Sequence, residues 1–166
     1  MLGVKNKKTS KFERLNWLEF EKIIQQTVKK IGRQGIKYDA IMGISRGGLV
    51  PGVLLSHRLG VKNFQIAKVV SYKFDAVSSG KVKPKIEYLD YKKIKRGQRI
   101  LIADDIADTG ETLAVLMDEL KRQTKAKFDI FVVTKSAKLR LPPSLKLKFI
   151  GRISHRWVIF PWEELR

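Results

Sequence analysis

The densest chemistry in the chain lies in Asp104–Thr112, DDIADTGET, where two adjacent acids and a third acid precede a glycine flanked by threonines. Glycine permits a tight backbone turn, and Thr109 and Thr112 bring hydroxyl donors. A helix starting just beyond directs unpaired amides outward, so such a turn can cradle a phosphate monoester. Asp104 and Asp105 close an apolar run side by side, where mutual repulsion disfavours two charges unless cations or hydroxyl donors offset it. Vicinal ribose hydroxyls and magnesium are suitable partners. The spacing is neither the G-x-x-x-x-G-K-[ST] of a Walker loop nor the G-x-G-x-x-G of a dinucleotide turn, which counts against ATP hydrolysis and hydride transfer. A second explanation covers only part of the loop: Asp108 as an N-cap with Glu111 three residues later makes a capping box for the following helix.

A second glycine loop, Ser45-Arg46-Gly47-Gly48, follows the apolar run YDAIMGIS. Adjacent glycines and one arginine after a strand suit anion binding; a tight turn with a solvated arginine is the alternative.

These loops need elements to hold them. Asn16–Gly35 is expected to be an amphipathic helix, with Trp17, Phe20, Ile24, Val28 and Ile31 recurring every three or four positions and Asn16 and Glu19 forming a capping box. Tyr38–Ser45 reads as a strand, and LVPGVLLSHRLG as a helix with Pro51 in its first turn and Gly60 at its end. Strands follow at Gln65–Phe74, Ile86–Tyr91, Gln98–Asp105 and Phe128–Lys135, with a helix over Thr112–Arg122. The Ser, Gly, Lys and Pro content of Asp75–Lys85 predicts a mobile loop. Alternating strands and helices predict an α/β fold, a parallel sheet flanked by helices, with ligands beyond the carboxyl ends of its strands. Residues 1–15 form a basic arm and 16–166 a single domain. The tail from about 147 to 166 is expected to join the N-terminal segment as a small hood over the sheet edge.

At 166 residues, 43% hydrophobic and 31% charged, the chain suits one compact domain that needs no covalent staple. The absence of cysteine excludes disulfides, thiolate metal sites and cysteine nucleophiles. No apolar run approaches the roughly 20 residues of a membrane span, and the basic N-terminus lacks an apolar signal core, so a cytoplasmic location without membrane partners is expected. The abnormal property is charge: 35 Lys and Arg against 16 Asp and Glu give +19. Such a field attracts phosphorylated metabolites, nucleic acid and anionic membrane alike, or serves solubility alone.

A hydrophobic strand, two acids and D-T-G-E-T resemble the signature of type I phosphoribosyltransferases, the family that uses phosphoribosyl pyrophosphate (PRPP). The resemblance extends to GISRGGLVPG, to Ser71-Tyr72 and to RWVIFPWEE, and spans most of Tyr38–Glu163. Among its branches it is closest to bacterial and archaeal xanthine, guanine or hypoxanthine phosphoribosyltransferases, which keep the acid found here as Asp108. The resemblance implies transfer of 5-phosphoribose from PRPP to a 6-oxopurine, giving a nucleotide and pyrophosphate in purine salvage, with Mg²⁺ as cofactor and a homodimer or homotetramer as assembly.

The same resemblance implies residue roles. Asp108, Thr109, Gly110, Glu111 and Thr112 surround the 5′-phosphate, and Asp108 also shares a proton of the base. Asp104 and Asp105 face the ribose hydroxyls and magnesium, while Ser45, Arg46 and Gly47 receive pyrophosphate, often across a cis peptide. Lys135 donates to the 6-oxo group, Trp157 stacks on the base, and the backbone of Val158 or Ile159 reads the ring edge. Glu163 is a candidate for a second magnesium; Ser71 and Tyr72 begin a lid. Ile159 departs from xanthine-guanine relatives that carry an acid near that point, which leaves base preference open. Two alternatives stand: a PRPP-sensing regulator that binds nucleic acid, less favoured because no recognition motif precedes the domain, and a transferase for adenine, orotate or uracil.

Overall fold

The computed structural model describes residues 11–70 and 84–163. In chain order the elements are β1 (Phe12–Arg14), α1 (Trp17–Arg33), β2 (Ala40–Ser45), α2 (Leu49–Leu59), β3 (Phe64–Val70) and β4 (Lys85–Leu89). They continue with β5 (Arg99–Ala107), α3 (Glu111–Gln123), β6 (Lys127–Ser136), β7 (Phe149–Ser154) and β8 (Trp157–Ile159). Six strands form one sheet in the order β4-β3-β2-β5-β6-β7, and β1 pairs with β8 in a small second sheet.

The first helix buries most of the side its sequence pattern marks. The Asn16–Glu19 capping box starts α1, which buries Phe20, Ile23, Ile24, Thr27 and Ile31. Trp17, counted with the apolar stripe, instead stays 55% exposed and packs edge-on against Phe20 and beside Trp162. Gly60, with φ +66°, closes α2 in the left-handed region that glycine adopts without strain. One core lies between the sheet and α1 with α2, around Phe20, Ile41, Leu101 and Phe131. The other lies under α3, around Met42, Ile102, Leu116 and Val132.

Several expected boundaries move. β4 runs antiparallel to β3 at the edge of the sheet, so the sheet is not wholly parallel. Lys85, assigned to the loop, opens β4; residues 71–83, with the rest of that loop, lie outside the described residues. β5 passes through Asp104 and Asp105 to Ala107 instead of stopping at the acids, and α3 begins at Glu111, not Thr112. The hood is smaller than expected: Phe149–Ser154 pairs in parallel with β6 as the sheet's last strand, because its ladder bonds to the main sheet. The hood proper is β8 with β1, whose residues 12–14 had been assigned to the basic arm.

Candidate active site at the carboxyl ends of the strands

The parallel strands β2, β5, β6 and β7 deliver polar residues to one end of the sheet. At the end of β2, the Ser45–Arg46 peptide is cis and Arg46 is exposed. Gly47 and Gly48 bring this loop against β5. A Cβ on Gly47 would meet Asp105 Oδ2 at 1.6 Å, and one on Gly48 would meet the Ala103 carbonyl oxygen at 2.5 Å, so only glycine allows the approach. The two glycine loops, separate in sequence, are therefore one surface.

Asp104 and Asp105 sit where the side-chain alternation of β5 breaks. Before them Ile100 and Ile102 pack under α3 and Leu101 and Ala103 under α1 and α2; beyond them Ala107 faces α3 while Ile106 packs with the opposite core. The carboxylates answer local amides: Asp104 Oδ1 accepts from Asp105 N–H at 3.0 Å and Asp105 Oδ1 from Ile106 N–H at 2.8 Å. Burial is the main cause that raises both pKa values. The negative charge of Asp105 raises Asp104 further, and Glu163 raises Asp105 further, while the backbone amides act in the opposite direction. Such a pair favours any cation or hydroxyl donor that restores its charge. Among the described residues no group of three His, Asp or Glu side chains is placed to hold a metal. Two carboxylates fit magnesium, which binds through one or two of them and takes its remaining ligands from water and phosphate. Glu163, the candidate for a second ion, accepts from Phe160 N–H at 2.9 Å and holds the turn after β8.

The loop between β5 and α3 excludes the capping alternative for Asp108. Gly110 is the N-cap, with φ +80° and no side-chain cap bond, and Glu111 is the first helical residue. Asp108 therefore lies outside the cap, and the capping box proposed for it with Glu111 does not form. Thr109 Oγ1 instead accepts from Glu111 N–H at 3.3 Å. A Cβ at Gly110 would strike Leu141 Cδ2 at 2.5 Å, so packing as well as φ demands glycine.

Asp108 lines a cavity of about 140 Å³ with Thr134, Ser136, Ser154 and Trp157. Thr134 is fully buried, and its Oγ1 has no hydrogen-bond partner among the described residues. Lys138, His155 and Arg156 complete the polar side. Lys135 is half-buried and does not line this space; the strand presents its neighbours Thr134 and Ser136 there. Trp157 is 52% exposed, whereas the side chains of Val158 and Ile159 are buried in the core below. The Ile159 carbonyl accepts from Leu15 N–H at 2.9 Å. In a parallel ladder alternate residues face the partner, which turns the peptide groups of Val158 away from β1. Ser71 and Tyr72 lie outside the described residues.

Sequence reasoning missed Thr134, Ser136 and Ser154, because hydroxyl residues in or beside strands carry no motif. It also missed Glu13, which pairs with Arg152 and accepts from Ser154 Oγ at 2.7 Å, tying β1 to the turn before β8. The Ser154 hydrogen bond lowers the Glu13 pKa; burial opposes this and Arg152 adds to it.

The family model for the phosphoribosyl transferase domain matches residues 13–164. Among solved structures, a purine phosphoribosyltransferase from Pyrococcus horikoshii Ot3 is 28% identical, covers 95% of this chain and 97% of its own, and superposes with a TM-score of 0.78. A Helicobacter pylori xanthine-guanine-hypoxanthine phosphoribosyltransferase is 22% identical over 92% of this chain and 94% of its own, with a TM-score of 0.75. A Neisseria gonorrhoeae hypothetical protein with bound ppGpp is 20% identical over 93% and 90%, with a TM-score of 0.78. The last two likenesses speak for the fold alone.

Proposed function

We propose, from the premise that this chain belongs to the phosphoribosyl transferase domain family, that it transfers 5-phosphoribose from PRPP to a 6-oxopurine and releases pyrophosphate. The observation that carries the reading is Asp108, which caps no helix and lines a cavity with Trp157 and Thr134, two residues before the Gly110 N-cap of α3.

In this reading the amides at the start of α3, with Thr109 and Thr112, receive the 5′-phosphate, where the helix end favours negative charge. Asp104 and Asp105 hold the ribose hydroxyls and would hold Mg²⁺, which when bound supplies positive charge toward the leaving pyrophosphate. Arg46 and the backbone of Ser45 and Gly47 receive that group from the other side. As the bond at the anomeric carbon breaks, positive charge develops on the ribose and the neighbouring carboxylates stabilise it. Asp108 accepts a proton from the base ring and so raises the nucleophilicity of the attacking nitrogen. Trp157 stacks on the ring, and the outward peptide groups of Val158 read its edge. Lys135 serves the 6-oxo group by reaching over the strand end, with the Thr134 hydroxyl as a further donor inside the cavity.

The test is a PRPP- and Mg²⁺-dependent assay with hypoxanthine, guanine, xanthine and adenine, scoring nucleotide and pyrophosphate, with Asp108→Asn beside the native chain. Turnover of at least one 6-oxopurine, lowered about 100-fold or more in the variant, is expected for a general base. Turnover of adenine alone, or of no base despite PRPP binding, overturns the reading. Because the Neisseria neighbour holds ppGpp, that nucleotide is a rational competitor to include against PRPP.

A further inference from the structure

The chain carries a net charge of +19, and among the described residues the cations are not spread evenly over the fold. All five parallel strands begin at the end opposite the site, and backbone bonds tie the segments there into one surface. Asp39 N–H donates to the Arg99 carbonyl, Ile41 to Asn63, Gly97 to Lys125, Lys127 to Gln98 and Lys148 to Ile130. Segments 36–39, 61–63, 90–99, 124–129 and 146–148 carry eleven Lys and Arg against three Asp. Among the described residues at the site end the balance is different. Segments 45–48, 104–112, 135–140, 154–157 and 161–163 set five Lys and Arg against five Asp and Glu.

Few of the cations at the basic end are neutralised locally. Arg99 and Lys148 share Asp129. Lys92, Lys93, Lys95 and Arg96 in one loop, and Lys125 and Lys127 beside it, are all exposed, and none makes an ion pair among the described residues. Lys37, Lys62 and Lys146 extend the row. Holding so many like charges together costs repulsion that a solubilising surface avoids by mixing signs. Five strands about 4.8 Å apart give the row a length of roughly 20 Å. A duplex presents about a dozen phosphates over that length.

We propose that this face binds the phosphodiester backbone of nucleic acid without reading its sequence. The helices return to this end with their C-termini, so the surface is made of loops and offers no recognition helix to a groove. Contacts there are ammonium and guanidinium groups on phosphate, which position a strand and carry no base information. The inference does not depend on which base the opposite end accepts.

The test is fluorescence anisotropy of the full chain with a mixed-sequence duplex of about 30 base pairs and an RNA of the same length, across a salt series. The expected result is binding that weakens steeply with salt and is indifferent to sequence. A fourfold reversal, Lys93→Glu, Lys95→Glu, Arg96→Glu and Lys125→Glu, should weaken it at least about tenfold and reduce the salt slope by about 2 or more. Reversing Lys11, Lys22, Lys138 and Arg140 changes net charge equally but should weaken binding much less. Equal losses in the two variants would mean that diffuse charge does the binding, and would overturn the proposal. So would binding to vesicles of anionic lipid with none to nucleic acid, or a marked sequence preference. The glutamine versions of the first four substitutions, with thermal melting of each variant, keep the result readable if the reversals impair folding.

Discussion

Gly47 lies in the loop after β2 and Asp105 within β5, yet a Cβ on the glycine would fall 1.6 Å from the aspartate Oδ2. The glycine loop after β2 and the acid pair of β5 are thus positioned by one contact. Asp105 cannot move aside freely, since its other oxygen accepts the Ile106 amide at 2.8 Å. Gly47→Ala is expected to displace the carboxylate, lowering transfer by about 100-fold for a misplacement near 1 Å while the cores stay intact. Steady-state kinetics beside a melting curve check this; unchanged kcat/KM would show that the contact does not position the site.

The acid pair should trade stability for function. Carboxyl groups whose pKa folding raises bind more protons in the native chain than in the unfolded one. Their contribution therefore falls as pH climbs from the ordinary aspartate value of 3.8 through the raised native values. Asp104→Asn keeps an oxygen for the Asp105 amide and removes the charge. It should raise Tm near neutral pH by about 2–4 °C, corresponding to about 1 kcal/mol, and flatten the decline with pH. Transfer should drop sharply in the same variant, and a lowered Tm would contradict the assignment.

Thr134 buries a hydroxyl without a partner among the described residues, in the cavity wall. Thr134→Val keeps the shape and removes the polar atom, which should stabilise the ligand-free protein by about 1 kcal/mol. If the hydroxyl meets the base, KM for the base rises while KM for PRPP holds. Denaturant melts and two-substrate kinetics separate these outcomes.

At the opposite end, Asp129 accepts from Tyr38 Oη and Arg99 Nε, each at 2.8 Å. Burial pushes its pKa up, but the bonds from Arg99 and Tyr38 and the charge of Lys148 outweigh this and hold it below 3.8. Its stabilisation is present above that value and lost as pH falls through the lower native one. Asp129→Ala should cost about 2 kcal/mol by leaving two donors unmatched. It should also make the acid limb of the stability profile shallower, as pH-dependent urea melts would record.

Much of the candidate site's framework was legible because local patterns encode it. The run into Asp104-Asp105, the glycine of DTGET, the Asn16 and Glu19 cap and the terminal Gly60 each act through their own backbone or the next turn. Asp108 was legible as an acid in the loop before α3, but its capping alternative was excluded only when Gly110 was found at the N-cap. Patterns were weaker where pairing decides. Nothing in Phe149–Ser154 distinguishes a hood strand from a sheet strand, because that depends on which neighbour offers free peptide groups.

The sequence by itself determined the layered α/β class, the two glycine loops and the sign of the charge, since periodicity, glycine spacing and composition are properties of short stretches. Tertiary structure alone decided that Gly47 touches Asp105, that Thr134 rather than Lys135 walls the cavity, and that the cations of five distant segments gather at the end away from the site. Those relations join residues far apart in the chain. They are set by strand order and register, which emerge only when the whole sheet competes for the same core.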